Sequence, residues 1–319
     1  MTQALLLFLL AASGDRLAIV NKTDSTLTVW DVDTGKSLAT IPTGKGPHEV
    51  SVSKDGAWAY VSDYQGTGKE NRSHTITVID LKKLAVSATI ELLPNKQPHG
   101  SAITADGKTL WVTTEASTSI LKVDTAGKKI AATVPVGGEA HMVVLAEQRA
   151  RGYAACLDKG DIVVLDLAAA KVVTRVATGA GAEGIDVTPD GKFVLVTNGE
   201  VNTVSVVDAE TNAVLKSVPV GTKPLRVKVA PDGKRALVSN MRSNDLYELD
   251  ASTWEVIRTL KVGKEPIGIQ YAADGKTAWI ANTASDVISV VDLTTWEVKG
   301  TITAGKEPDG MALIRAAKR

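Results

Sequence analysis

The chain repeats itself with a 42-residue period. A segment made of G-x-x-P, a variable residue, a small residue, an alternating apolar strand and a D-G turn recurs as GKGPHEVSVSKDG, NKQPHGSAITADG, GGEAHMVVLAEQR, GAGAEGIDVTPDG, GTKPLRVKVAPDG, GKEPIGIQYAADG and, cut short, GKEPDGMALI. The variable residues are His48, His99, His141, Glu183, Leu225, Ile267 and Asp309. Five of their six spacings are 42 residues, and the first is 51 because nine residues are inserted around QGTGKENRS. A period of that length is the signature of one supersecondary unit used over and over.

Each unit reads as four strands. After the D-G turn comes a second run such as AWAYVSD, FVLVTNG or RALVSNM. A third follows, such as TLTVWD, TVSVVD or VISVVD, and a fourth such as SLATIPTG or VLKSVPVG. Alternating β-branched residues bounded by turn signals mark strands, and four antiparallel strands per unit make a propeller blade. The count predicts an all-β, seven-bladed β-propeller over residues 15–319. The C-terminal run GMALI serves as innermost strand of the blade begun by LAIV, so the chain ends pair and leave no open sheet edge. Residues 1–14 are surplus to that ring. Their apolar run ALLLFLLAA reads either as an export signal or as an extra strand, and it is too short to cross a bilayer as a helix.

Composition removes several function classes. Formal net charge is zero, which argues against the basic surface a nucleic-acid binder needs. The single cysteine, Cys156, sits in the apolar run GYAACL and reads as a buried structural thiol. No disulfide can form within the chain. Aromatic residues are 4% of the chain, so Val, Ile, Leu and Ala must fill the core. A closed ring makes no demand for a partner subunit, and a monomer is expected.

Two repeated residue types invite a catalytic reading that repetition argues against. An Asp follows every third strand, from Asp31 to Asp292, and seven copies imply a turn requirement rather than chemistry. The residues after the second strand, Asn21, Asp63, Asp158, Asn198, Asn240 and Asn282, read as turn formers for the same reason. One D-G turn is replaced by AEQRARG and must differ. The segments AYVSD, LVTN, LVSN and WIAN, with the period and the D-G turns, resemble the YVTN-repeat β-propeller family across nearly the whole chain. That resemblance implies the seven-bladed fold and an exported, periplasmic or extracellular protein of the surface-layer and YncE-like type. It implies no particular activity.

Function is expected where the copies differ. In ring order the variable position reads Asp309, His48, His99, His141, Glu183, then Leu225 and Ile267. The chain has four His, and three of them occupy equivalent places in adjacent blades. Propeller topology starts each innermost strand at one height beside the central channel, so these imidazoles are expected to converge. Three His with an open position suit catalytic zinc, and imidazole also suits copper, nickel or iron. The expected metal set is His48, His99, His141 and Glu183, with Glu183 or Asp309 as fourth ligand or as an orienting group. Glu115 departs from its neighbours in the other blades and is expected to act as general base or extra ligand, and either it or Glu183 is expected to shuttle the proton in catalysis. Arg226 stands where four blades place Gly (Gly100, Gly184, Gly268 and Gly310), and Glu49 and Met142 are the other departures. With Lys45, it is a candidate clamp for an anionic group, unless an acid such as Glu183 neutralises it. The nine-residue insertion, with His74 just after it, is long enough to cover the mouth.

The expected function is therefore a metal-binding propeller taking a small molecule at its channel, with hydrolysis of a lactone, ester or phosphoester as the natural reaction class. The alternatives are a non-catalytic metal or small-ligand binder, and a protein-interaction scaffold. Propeller lactonases resemble this architecture but use carboxylates and amides around calcium, which this chain lacks. No G-x-S-x-G, H-E-x-x-H, phosphate-binding or dinucleotide-binding glycine motif is present.

Overall fold

A computed structural model describes residues 14–65 and 71–316. These form seven four-stranded antiparallel sheets. Blade 1 joins the C-terminal strand Pro308–Ile314 to Arg16–Asn21, Thr26–Asp31 and Lys36–Pro42. Arg16 pairs with Ile314 and Ile19 with Met311, so the ring closes through the chain ends as the repeat count requires. Blades 2 to 7 begin with the innermost strands Pro47–Val52, Pro98–Ile103, Ala140–Ala146, Ala182–Val187, Pro224–Val229 and Pro266–Tyr271. The residues of the apolar run at 4–12 lie outside the described ones. None of the described helices is long and apolar enough to cross a membrane.

The core lies between blades. Tyr153, Ile162 and Val164 of blade 4 pack on Ile185, Val194 and Val196 of blade 5, all of them buried. The same face-to-face arrangement recurs around the ring. Alternation along each strand supplies one apolar face to each neighbouring blade, the arrangement stacked sheets need. The repeated Asp residues make the turns expected of them. Asp208 accepts from the backbone N–H of Glu210 and Thr211, and Asp250 does the same for Ser252 and Thr253. The divergent turn AEQRARG becomes a 3₁₀ turn, Glu147–Arg149, that ends with Ala150 in the left-handed region.

The YVTN-like signature has a physical reading. Its Thr or Ser ties adjacent blades together. The Thr113 hydroxyl accepts from the Gly100 N–H in its own blade and donates to the His141 carbonyl of the next. Thr197 does the same between Gly184 and Leu225, and Ser239 donates to the Ile267 carbonyl. The Asn locks the following hairpin, as Asn198 donates to Thr203 and Ser205.

One further feature recurs at the start of every innermost strand. The pairing register slips there, between Pro47 and Val50 in blade 2 and between Ala140 and Val143 in blade 4. The other five blades slip at the equivalent place. The variable residue lies inside this bulge. Bulged residues leave the ladder and re-aim their side chains, and those of Asp309, His48, His99, His141 and Glu183 come together in a chain of contacts.

Candidate functional site

The three expected histidines do meet. His48 Nδ1 lies 3.2 Å from His99 Nε2, and the His99 and His141 rings stack with centroids 3.7 Å apart. Glu115, in the 3₁₀ turn after the second strand of blade 3, places Oε2 3.3 Å from His141 Nδ1. On the other edge of that ring, Glu183 Oε1 lies 3.4 Å from Nε2. His99, Glu115 and His141 each bring one ligand atom to within 4.8 Å of the others. Glu115 thus lies among the converging donor atoms, and Glu183 stands at the opposite nitrogen of His141. Asp309 Oδ2 stands 3.7 Å from His48 Nδ1.

Sequence reasoning missed two residues here. The residue immediately after the second strand also reaches this group in the first three blades. In blades 1 to 3 it is Lys22, Tyr64 and Glu115, each donating its backbone N–H to the chain just before the neighbouring innermost strand. Tyr64 stacks on His48 with centroids 4.2 Å apart and donates its hydroxyl to Glu115 at 3.2 Å. Lys22 Nζ lies 3.5 Å from Asp309, and Lys223 lies 3.8 Å from Glu183. Lys22 and Tyr64 share the offset of Glu115, and that offset was the available signal. The Asn or Asp one place earlier, as in Asn21 and Asp63, ends the second strand and serves the hairpin instead.

Burial divides the histidines. Loss of solvent pushes His48 down to about 4, against the opposing pull of Asp309. Burial, with cationic neighbours, holds His99 well below its ordinary value. Both rings are neutral at neutral pH and offer lone pairs. Burial would lower His141 too, but the carboxylates of Glu115 and Glu183 outweigh it and raise the ring to about 9. The two acids on either side of His141 thus favour its protonated form. Burial would raise Glu183, yet its bond to His141 holds it below the usual carboxylate range. Among these groups, His99 Nδ1 and Asp309 Oδ1 are buried with no hydrogen-bond partner.

Arg226 is not free to clamp a ligand as the structure stands. It is buried, and it bonds Glu49 at 2.7 Å, a residue 177 positions away on blade 2. Glu49 occupies the same place in its repeat as Arg226. The pair bridges non-adjacent blades and closes the channel one step below the histidines. On the far side of this floor lies a cavity of about 340 Å³ that reaches Asp186, Lys228 and Gln270. The Gly found at this place in other blades answers to inter-blade contact. A Cβ on Gly268 would lie 2.1 Å from the Asp309 carbonyl oxygen, and one on Gly184 2.3 Å from that of Leu225.

The remaining candidates lie elsewhere. Lys45 is exposed, and His74 pairs with Glu91 on an outer strand at 3.3 Å. Most of the insertion expected to cover the mouth, residues 66–70, lies outside the described residues. Asp63, Asn21 and Asn198 serve their hairpins, and Asp158 accepts from the Glu139 N–H.

Residues 154–277, from the second strand of blade 4 to that of blade 7, match the family model described as YNCE-like beta-propeller. Over this stretch the chain resembles a YNCE-like β-propeller. The same four-stranded unit continues on both sides of it around the ring. The fold is similar to that of Kuenenia stuttgartiensis hydrazine synthase, with TM-score 0.79 and 19% identity over 89% of this chain and 94% of that one. It is similar to a functionally unknown protein from Desulfotomaculum acetoxidans, with TM-score 0.82 and 15% identity over 95% of this chain and 99% of that one. It is also similar to the dihydro-heme d1 dehydrogenase NirN in complex with DHE, with TM-score 0.67 and 17% identity over 96% of this chain and 76% of that one. At these identities the likeness concerns the fold alone. None of the curated proteins matches the sequence.

Proposed function

We propose that this protein binds a divalent transition-metal ion at the channel mouth through His99, Glu115 and His141, with His48 and Glu183 beside them. The observation that carries the reading is the buried, partnerless Nδ1 of His99 next to convergent imidazole and carboxylate donors. Buried polar groups left unpaired are uncommon and call for a partner. Two donors on one tetrahedral zinc ion stand about 3.3 Å apart, which is the separation of His141 Nδ1 and Glu115 Oε2. Two His and one carboxylate with positions left open form a hydrolytic rather than a purely structural set, and zinc suits it best. Because the His99 and His141 rings are stacked, coordination by both requires one ring to turn out of the stack, and the ion must displace the Nδ1 proton that Glu115 now holds on His141, while Nε2–H stays on Glu183.

A bound ion would supply a Lewis acid and an activated water. Around it, this chain offers Glu183 to orient His141 and Tyr64 to hold Glu115. Hydrolysis of a lactone, ester or phosphoester is the reaction such a site serves, and retention of a metal or small ligand without turnover is its non-catalytic counterpart. The apolar run at residues 4–12 supports a periplasmic or extracellular location, which cell fractionation tests.

Calorimetric titration of metal-free protein with zinc is the test. One ion per chain is expected to bind, with H99A and E115Q each weakening it at least tenfold, in line with the loss of a ligand. Failure of wild-type protein to bind zinc, cobalt or nickel removes the reading. Turnover of ester and lactone substrates that chelator abolishes and metal restores separates catalysis from binding.

A further inference from the structure

We propose that the mouth takes a small amphiphile, an organic anion whose oxygen head meets the donor arc and whose short alkyl or aryl body lies against Leu225 and Ile267. The proposal rests on the metal reading above and adds the class of ligand.

The ring order carries it. His99 belongs to blade 3, and blades 6 and 7 are each three steps away from it, on the opposite side of the mouth. Those are the two blades whose bulges present apolar residues, Leu225 and Ile267. Both are buried, at 6% and 8% exposure. Neither belongs to the apolar clusters between the blades, which draw instead on Val227, Val229, Ile269 and Tyr271 of the same strands. Met241, half-buried, holds the offset of Glu115 in blade 6. Leu225 and Ile267 hold the same bulge position as the donors and lie outside the inter-blade clusters, which leaves them as the apolar lining of the opposite side of the mouth.

The mouth therefore has three unlike surfaces. The imidazoles and carboxylates form one side. Leu225 and Ile267 form the other, and the Arg226–Glu49 pair is the floor. That pair also sets the scale, since one Arg and one Glu side chain together span the channel. A ligand of that span is a small molecule and not a polymer. Its head must offer oxygen donors to an ion, with Lys22 and Lys223 flanking the arc as cations. Its tail must be apolar, since a polar group against Leu225 and Ile267 would lose its hydrogen bonds.

The test uses the full chain loaded with cobalt, titrated with acetohydroxamate, butyrohydroxamate and hexanohydroxamate while the cobalt absorption band is followed. Affinity is expected to rise by up to about fourfold per added methylene, the gain for burying one CH₂. The double variant L225T/I267T is expected to flatten that dependence, and its cobalt band reports whether it is folded. Equal affinities along the wild-type series, with the band responding to each compound, overturn this proposal and leave the metal centre standing. Absence of any cobalt band overturns both.

Discussion

Asp63 is the one place where this propeller puts a charge at the end of a second strand. Blades 1, 5, 6 and 7 have Asn there, and blades 3 and 4 have Thr114 and Cys156. Asp63 is fully buried and accepts from Thr75 at 2.8 Å and Thr77 at 2.9 Å. Burial pushes its carboxyl up to about 6, against those hydroxyl bonds. In the unfolded chain the group titrates near ~3.9. The native state therefore binds the proton more tightly, so stability falls as pH rises from about 4 to about 6 and stays lowered above that. A shift of about two units corresponds to roughly 3 kcal/mol at neutral pH. D63N removes the charge and can reproduce the Asn198 pattern, in which the amide donates to two hydroxyls and the second of these donates to the backbone. Urea unfolding of both proteins from pH 4 to 7 is the assay. D63N is expected to match the parent near pH 4 and to exceed it by up to about 3 kcal/mol at pH 7. A difference that does not change with pH, or a variant less stable at pH 7, refutes the reasoning.

Three other outcomes are expected. R226M leaves the Glu49 carboxylate buried without its partner and should cost about 3–5 kcal/mol, most of it recovered in E49M/R226M, as read by thermal melts of the two variants. G268A places a methyl group against the Asp309 carbonyl and should lower stability by more than ~2 kcal/mol, since backbone cannot move aside as a flexible side chain can; near-neutral stability would contradict the close inter-blade packing. Burial raises the Cys156 thiol to about 11, so a disulfide reagent should label the native protein far more slowly than the urea-unfolded chain.

Particular residues show how far the sequence could be read. Three histidines at equivalent repeat positions could be brought to one place by symmetry alone, and His48, His99 and His141 do meet. Glu115 stood out as a departure from its repeat, and it lies among the donors. Tyr64 and Lys22 escaped notice because each is unremarkable in its own blade and matters only as a neighbour of the histidines. Arg226 was visible as an anomaly, but its partner was not. Glu49 is anomalous too, and nothing in a linear repeat says which two anomalies touch across a ring.

By itself the amino-acid order determined the blades, their number, their turns and the closure of the ring. Those depend on strand alternation, on Asp and Gly at turns and on a constant period, all of which act over a few residues. The tertiary structure alone decided which ring nitrogens face which carboxylates, that Arg226 meets Glu49, and that neighbouring acids push His141 up while burial pushes His48 and His99 down. The cause is that side-chain direction is set by a bulge in each innermost strand, and burial is set by neighbours from other blades. Neither is a property of any one segment.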